Sequence, residues 1–238
     1  MRAGIIGAGL VGKALAKCYR KKKIKVVIKD KDSTVLSNID FLNICIPYTE
    51  KFNSIVISYI KKIKPRYTII HSTVPCGTAD IIRSKTRSEV VSSPVRGSHN
   101  NLYQSFKTFL KYVGSNNLQS SIEVTKHFKK LGIGCKILNS NKSAELLKLF
   151  CTTYYGICIK WHESMFKICQ KTGINYSDIL HWNTSYNEGY SKLNQKHVTR
   201  PILTPPRGKI GGTCIIPNAK LLKKITNDKF IDILINNK

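Results

Sequence analysis

Gly7-Ala8-Gly9-Leu10-Val11-Gly12 is the stretch that decides the fold. It follows a short apolar strand, Arg2–Ile6, and opens a helical stretch. In this setting Gly7 permits a tight turn and Gly9 lets the backbone approach a pyrophosphate. Gly12 lets the helix pack closely on the strand, so that the first helical amides face the phosphates. The stretch therefore predicts a dinucleotide-binding turn.

An acidic residue stands where such a turn needs one. Asp30 follows the second apolar strand, Ile24–Ile28, and lies 18 residues beyond Gly12. A carboxylate here bonds the adenosine ribose hydroxyls and repels a 2′-phosphate, which favours NAD over NADP, although the flanking Lys29 and Lys31 weaken that preference. We expect NAD as the cofactor, bound by Gly7, Gly9, Leu10, Val11, Gly12, Asp30, Pro47 and Thr73.

Short apolar segments alternate with helical patterns through the first part of the chain. Further strands are expected at Phe41–Ile46, Tyr67–Ile70, Glu89–Ser92, Thr108–Val113 and Lys136–Leu138. This alternation is typical of an α/β protein with a Rossmann-like, doubly wound parallel sheet. We expect a dinucleotide-binding domain over residues 1–140.

The pattern changes after Lys142. Ala144–Thr172 is one long helical run without proline, and Tyr176–Trp182 is a second helix. Asn183–Gly212 reads as a loop, and Ala219–Ile235 as a helical tail. We expect a small helical domain over residues 141–238, and a homodimer through the long helix, which is apolar around most of its circumference.

Composition narrows the class of protein. The 238 residues carry a formal charge of +27, but the basic residues are scattered, so we expect no specific nucleic-acid partner. Compositional drift, a polyanion surface and an anionic small substrate remain open explanations. No apolar run approaches the ~18 residues of a membrane span. None of the eight cysteines forms a C-x-x-C pair, which favours reduced thiols in the cytoplasm and no metal site.

Three further segments resemble the UDP-glucose/GDP-mannose 6-dehydrogenase family. They are Ser72-Thr-Val-Pro-Cys-Gly-Thr78, Ala144-Glu-Leu-Leu-Lys-Leu149 and Gly211-Gly-Thr-Cys214. Together with the glycine turn they follow the family's order across nearly the whole chain. The chain is similar to a short form without the C-terminal nucleotide-sugar-binding domain, because it ends at Lys238.

The resemblance implies catalytic roles. Cys214 corresponds to the nucleophile that captures an aldehyde before a thioester is hydrolysed, and Lys148 to the residue that stabilises charge on the substrate oxygen. Thr73 corresponds to a residue that positions a polar group or water. Thr152 and Asn218 stand where the family has Asn and Asp, and Asn218 cannot act as a base. Val95 replaces a family Glu.

Basic residues near the expected site suggest an anionic substrate. Arg96 and His99 follow the fifth strand, and Arg207 precedes the cysteine loop; ordinary surface positions are the alternative. The expected function is an NAD-dependent oxidoreductase acting on an alcohol or aldehyde of a sugar-like, anionic substrate. Two alternatives stay open: an enzyme like the 3-hydroxyacid dehydrogenases, which need no cysteine, and a non-catalytic protein that binds NAD or a polyanion.

Overall fold

A computed structural model of the protein describes residues 2–30, 34–205 and 214–236, without the side chains of His99 and Lys196. Within these residues the first part of the chain forms one sheet of seven strands. The strands are β1 (Ala3–Ile6), β2 (Val26–Lys29), β3 (Phe41–Ile44), β4 (Tyr67–Ile70), β5 (Glu89–Ser92), β6 (Lys111–Gly114) and β7 (Cys135–Leu138). Their order is β2-β1-β3-β4-β5-β6-β7. In register, Ile5 lies between Ile28 and Asn43.

Helices cover both faces of this sheet. They are α1 (Leu10–Lys21), α2 (Phe52–Ile63), α3 (Thr78–Thr86), α4 (Leu102–Thr108) and α5 (Leu118–Lys130). Successive side chains on a strand point to opposite faces, so each strand feeds two apolar layers. Ile5 and Ile69 belong to the layer that contains α1 and α5, whereas Ile6 and Ile70 belong to the layer of α2 and α3. The Rossmann-like α/β fold is thereby confirmed.

One strand direction departs from the expected parallel sheet. Strands β1 to β5 are parallel, but β6 runs antiparallel to β5 through the pair Ser92 and Gly114, and β7 is parallel to β6. After β5 the chain continues forward, because Ser93 and Val95 donate backbone N–H groups to Ile70 and His71. It then turns through α4 and returns. A strand expected from Thr108 therefore begins only at Lys111, since Thr108 ends α4.

A chain of polar side chains crosses the layer beneath α1 and α5. His71 Nε2 lies 2.9 Å from Asn43 Oδ1, Asn43 Nδ2 donates to Tyr19 Oη at 3.0 Å, and Tyr19 Oη lies 2.6 Å from His127 Nε2. Burial holds the pKa of His71 well below its usual value and lowers that of His127 to about 3, so both rings are neutral. Asn43 Oδ1 can only accept, so His71 carries its proton on Nε2.

Lys111 is a buried amine at the edge of the same layer. Its Nζ donates to the carbonyl of Ser93 at 2.5 Å and reaches that of Pro94 at 3.4 Å. Burial lowers the pKa of Lys111 to about 7. The side chain thus ties the start of β6 to the segment that follows β5.

The chain divides into two units, Met1–Lys148 and Leu149–Lys238. The second contains most of α6 (Asn141–Thr172) and also α7 (Tyr176–Lys192), α8 (Ile215–Lys223) and α9 (Lys229–Ile235). Gly156 of α6 allows close packing, because a Cβ there would lie 2.5 Å from Ile215 Cγ2. None of the helices in the described part of the chain is long and apolar enough to cross a membrane.

Two elements of the second unit differ from expectation. The residues 183–192, expected as loop, extend α7, where Tyr186 and Tyr190 stack one turn apart and support the helix. Asn187 also exchanges two hydrogen bonds with the backbone of Arg200. The expected single tail helix is two helices, because Asp228 caps α9 by accepting the N–H of Phe230.

Candidate functional site

The glycine turn has the geometry expected of a dinucleotide-binding loop. Gly7 has φ +100°, in the left-handed region that favours glycine. A Cβ at Gly12 would lie 1.9 Å from the carbonyl oxygen of Gly7, so α1 packs directly on the end of β1. A Cβ at Gly9 would meet nothing within 4 Å. A side chain at Gly7 or Gly12 would therefore clash with the protein, whereas one at Gly9 would face open space.

The start of α1 faces this open space with unsatisfied amides. Gly9 is the N-cap residue, with φ −68°, and no side chain caps the helix. The first amides of a helix, here including Leu10 and Val11, have no intrahelical acceptor. The side chain of Leu10 is 63% exposed. An uncapped helix start beside open space suits a pyrophosphate, so these residues fit the expected cofactor.

The turn lies at the switch point of the sheet. β2 and β3 flank β1 on opposite sides, and the crevice at their carboxyl ends is where such sheets bind ligands. Pro47 follows β3 and is exposed. Ser72 donates its hydroxyl to the carbonyl of Ile46 at 2.5 Å, which draws the loop after β4 toward the same edge. Thr73, in that loop, is half-buried, and Asp30 is exposed just beyond β2.

A residue that the sequence analysis did not assign holds the far end of the β4 loop. Glu145 of α6 is 2% exposed, and its carboxylate accepts the N–H groups of Gly77 and Ala79 at 2.6 and 3.0 Å. It also accepts the Ser92 hydroxyl at 3.0 Å. Burial raises the pKa of Glu145 to about 7. The signal was present in the Ala144–Leu149 motif, where the glutamate precedes Lys148 by about one turn.

The structure describes the three expected substrate-binding residues to different extents. The Arg96 guanidinium donates to the carbonyl of Leu110 at 3.2 Å and lies 5.1 Å from the ring centre of Tyr112. These contacts use only part of its five-donor fork. His99 begins a short 3-10 helix, but its side chain is outside the described residues. Arg207 is outside them altogether.

The expected catalytic residues fall in both units. Lys148 is half-buried on α6 and is the last residue of the first unit. In the second unit, Cys214 is half-buried and is the N-cap residue of α8, while Gly211–Thr213 lie outside the described residues. Asn218 is 5% exposed and donates its amide to the Thr152 hydroxyl at 3.1 Å. Two of the three residues that depart from the pattern of the resembled family thus contact each other.

His162 and Glu163 have structural contacts. The ring nitrogens of buried His162 lie 2.8 Å from the carbonyl of Cys158 and 3.1 Å from that of Pro201. Glu163 pairs with Lys160 and Lys167 on its own helix. The described residues contain no group of three or more His, Cys, Asp or Glu side chains that could hold a metal ion.

Comparison with known proteins points to one class of enzyme. The chain is 28% identical over 198 residues to the UDP-N-acetyl-D-mannosamine dehydrogenase of Methanococcus vannielii, covering 81% of this chain and 40% of that protein. It therefore spans about two fifths of the length of the curated relatives it matches. The resemblance to nucleotide-sugar dehydrogenases is confirmed. No protein-family model matches the chain.

Solved structures share the fold. The UDP-D-ManNAc dehydrogenase of Pyrococcus horikoshii superposes with a TM-score of 0.83 at 16% identity, covering 99% of this chain and 68% of its own. A 3-hydroxyisobutyrate dehydrogenase of Mycobacterium tuberculosis gives 0.76 at 11% identity, covering 99% and 91%. At these identities the likeness establishes the fold.

The two glycines of the turn are expected to behave differently when changed to alanine. Gly12→Ala places a methyl group against the Gly7 carbonyl and should lower the free energy of unfolding by about 2–3 kcal/mol. Gly9→Ala has open space and an ordinary φ, so it should cost at most about 1 kcal/mol. Dinucleotide affinity of Gly9→Ala should nevertheless fall at least about tenfold, as one lost charge-assisted contact implies. Denaturation and calorimetry measure both effects; unchanged affinity would place the pyrophosphate elsewhere.

Proposed function

We propose that the protein is an NAD-dependent oxidoreductase that oxidises an alcohol or aldehyde of a sugar-like, anionic substrate. The observation that carries the proposal is the glycine turn, open at Gly9 and facing the uncapped start of α1 at the switch point of the sheet. The sequence relatives named UDP-N-acetyl-D-mannosamine dehydrogenase support the substrate class. NAD supplies the hydride acceptor when bound.

The residues of the first unit bind and orient the reactants. The amides at the start of α1 hold the pyrophosphate, and Asp30 accepts hydrogen bonds from the adenosine ribose. Thr73 positions a polar group or water at the reacting carbon. Arg96 offers its remaining guanidinium donors to an anionic group, and we assign the same role to His99. For Arg207, which is outside the first unit and outside the described residues, we assign this role from the sequence alone. Lys148 stabilises negative charge on the substrate oxygen.

The second unit supplies the nucleophile. Cys214 is the N-cap residue of α8, a nine-residue helix. In the proposed reaction the Cys214 sulfur attacks the aldehyde carbon, and the electron pair of the carbonyl moves to the oxygen. Thr152 orients the Asn218 amide, which cannot deprotonate water. We therefore expect the reaction to stop near the aldehyde or to release product slowly.

A second candidate is an enzyme like the 3-hydroxyacid dehydrogenases. The observation that favours it is the share of each neighbour's chain that this chain covers. That share is 91% for the 3-hydroxyisobutyrate dehydrogenase and 68% for the UDP-D-ManNAc dehydrogenase. This chemistry uses the lysine and needs no thiol. Cys214→Ser separates the two candidates: activity on a hydroxyacid that survives the change favours the second.

We further propose that the protein works in the cytoplasm. The eight cysteines form no disulfide among the described residues, as a reducing compartment would allow.

We propose that a second copy of the chain covers the outer face of α6. Tyr154 and Trp161 are 62% and 58% exposed and lie about two turns apart on one face. Large apolar side chains so exposed mark an interface. Light scattering at micromolar concentration should give a dimer, and Trp161→Glu should give a monomer. Ile225→Glu, at an exposed apolar position between α8 and α9, is the control expected to stay dimeric. A monomeric wild type would refute the proposal.

The cofactor preference is expected to depend on Asp30. NAD should bind at least about tenfold more tightly than NADP, because the carboxylate repels a 2′-phosphate. Asp30→Ala should narrow this difference mainly by weakening NAD binding. Calorimetric titration of both dinucleotides with wild type and variant decides the matter. Equal or tighter binding of NADP by the wild type would show that Lys29 and Lys31, not Asp30, set the cofactor preference.

Cys214 is expected to be the most reactive thiol of the chain. Iodoacetamide at neutral pH should alkylate it faster than Cys151, an exposed thiol of α6 that serves as the internal reference. Bound NAD should change the rate at Cys214 and leave that at Cys151 unaltered. Peptide mass spectrometry measures all eight rates. Labelling of Cys214 no faster than Cys151 would favour the candidate that needs no nucleophilic cysteine.

A further inference from the structure

Glu145 joins three segments of the first unit through one buried carboxylate. Oε2 accepts the N–H of Gly77, and Oε1 accepts the N–H of Ala79 and the hydroxyl of Ser92. Gly77 is the N-cap residue of α3 and has no side chain to cap that helix. Glu145 therefore caps α3 from α6, 68 residues further along the chain.

These contacts connect two groups that the proposed reaction needs. Gly77 ends the loop that carries Thr73, and its φ of +90° lies in the left-handed region that favours glycine. Lys148 follows Glu145 on α6 by about one turn. A shift of the carboxylate would move the Thr73 loop and the lysine-bearing turn relative to one another.

A neighbouring side chain strengthens the same junction. Asn141, the first residue of α6, accepts the N–H of Ser92 at 2.8 Å and donates to Asp80 of α3 at 3.0 Å. The first turn of α6 is thus attached to both β5 and α3. Glu145 is the ionisable member of this junction that contacts the β4 loop directly.

We propose that Glu145 is a positioning residue that sets the Thr73 loop against the turn of Lys148, an inference that rests on the proposed function. Its ionised form accepts hydrogen bonds from three donors at once. Protonation turns one oxygen into a hydroxyl, which is a weaker acceptor, so its contact with a backbone N–H is weakened. The ionised carboxylate holds the junction with its three strongest acceptor contacts.

The pH at which this happens follows from the surroundings. Burial is the main cause that raises the pKa of Glu145 to about 7, and the nearby Asp80 carboxylate raises it further. Cys76 in the loop lies within electrostatic reach of Glu145 and also of Lys142 on α6. Because this pKa lies above the usual value, the ionised form costs stability as the pH rises through about 7. Stability and loop positioning therefore change in opposite directions.

Hydrogen–deuterium exchange of the ligand-free protein tests the junction. In Glu145→Gln the amide nitrogen must face an N–H donor, so residues 72–79 should exchange at least about tenfold faster at pH 8. Wild-type exchange at pH 8, after correction for the intrinsic rate, is the reference for this comparison. Glu145→Asp keeps a carboxylate and should stay closer to the wild-type rate than Glu145→Gln does. Glu123→Gln, at a glutamate on α5 that pairs with Lys126, is the control.

Binding supplies a second readout. Wild-type NAD affinity should rise from pH 6 to 8, whereas Glu145→Gln should show a flat profile. Exchange and binding of Glu145→Gln that both match the wild type would overturn the positioning role. Failure of the wild type to bind NAD would reject the proposed function instead, because the exchange measurement needs no ligand and judges the junction alone.

Discussion

The contact of Gly12 with the carbonyl of Gly7 is the constraint on which the rest of the first unit depends. With no side chain at position 12, α1 reaches the end of β1, and its first amides point along the strand toward the crevice. Gly7 in turn lies against Cys45, where a Cβ would be 2.8 Å from the carbonyl oxygen. One close approach thus fixes the helix, the first strand and the end of the third. Most of the expected cofactor contacts derive from that arrangement.

Local pattern was enough to predict the elements built from it. The bounds of β4 and β5 agree with those read from the sequence, because apolar spacing and flanking turns leave little choice. The direction of β6 was not predictable in this way. It is accompanied by hydrogen bonds from Lys111 to the carbonyls of Ser93 and Pro94, which are visible only in three dimensions. The full length of α7 likewise comes with contacts that spacing does not reveal: the ring pair of Tyr186 and Tyr190, and the two hydrogen bonds of Asn187 to the backbone of Arg200.

The candidate site was also predictable from the sequence only in part. Glycine spacing gave the turn and the position of Asp30, since both follow from backbone geometry. Glu145 stood in a motif already singled out, yet its role depends on donors from α3 and β5 that spacing along α6 cannot reveal. Thr152 and Asn218 each read as an isolated departure from the family pattern. In the structure they form one hydrogen-bonded pair, so the two departures are a single change of chemistry.

The polar chain through Tyr19, Asn43 and His71 has a consequence for how this sequence can evolve. Each side chain is a hydrogen-bond partner of the next. Replacing one by an apolar residue therefore leaves a buried polar atom of another without that partner, which lowers the free energy of unfolding by about 1–3 kcal/mol. An entirely apolar layer would avoid that cost, but it can be reached only through less stable intermediates. Selection for stability therefore acts on these positions as a group. Related sequences should differ at all of them together or at none.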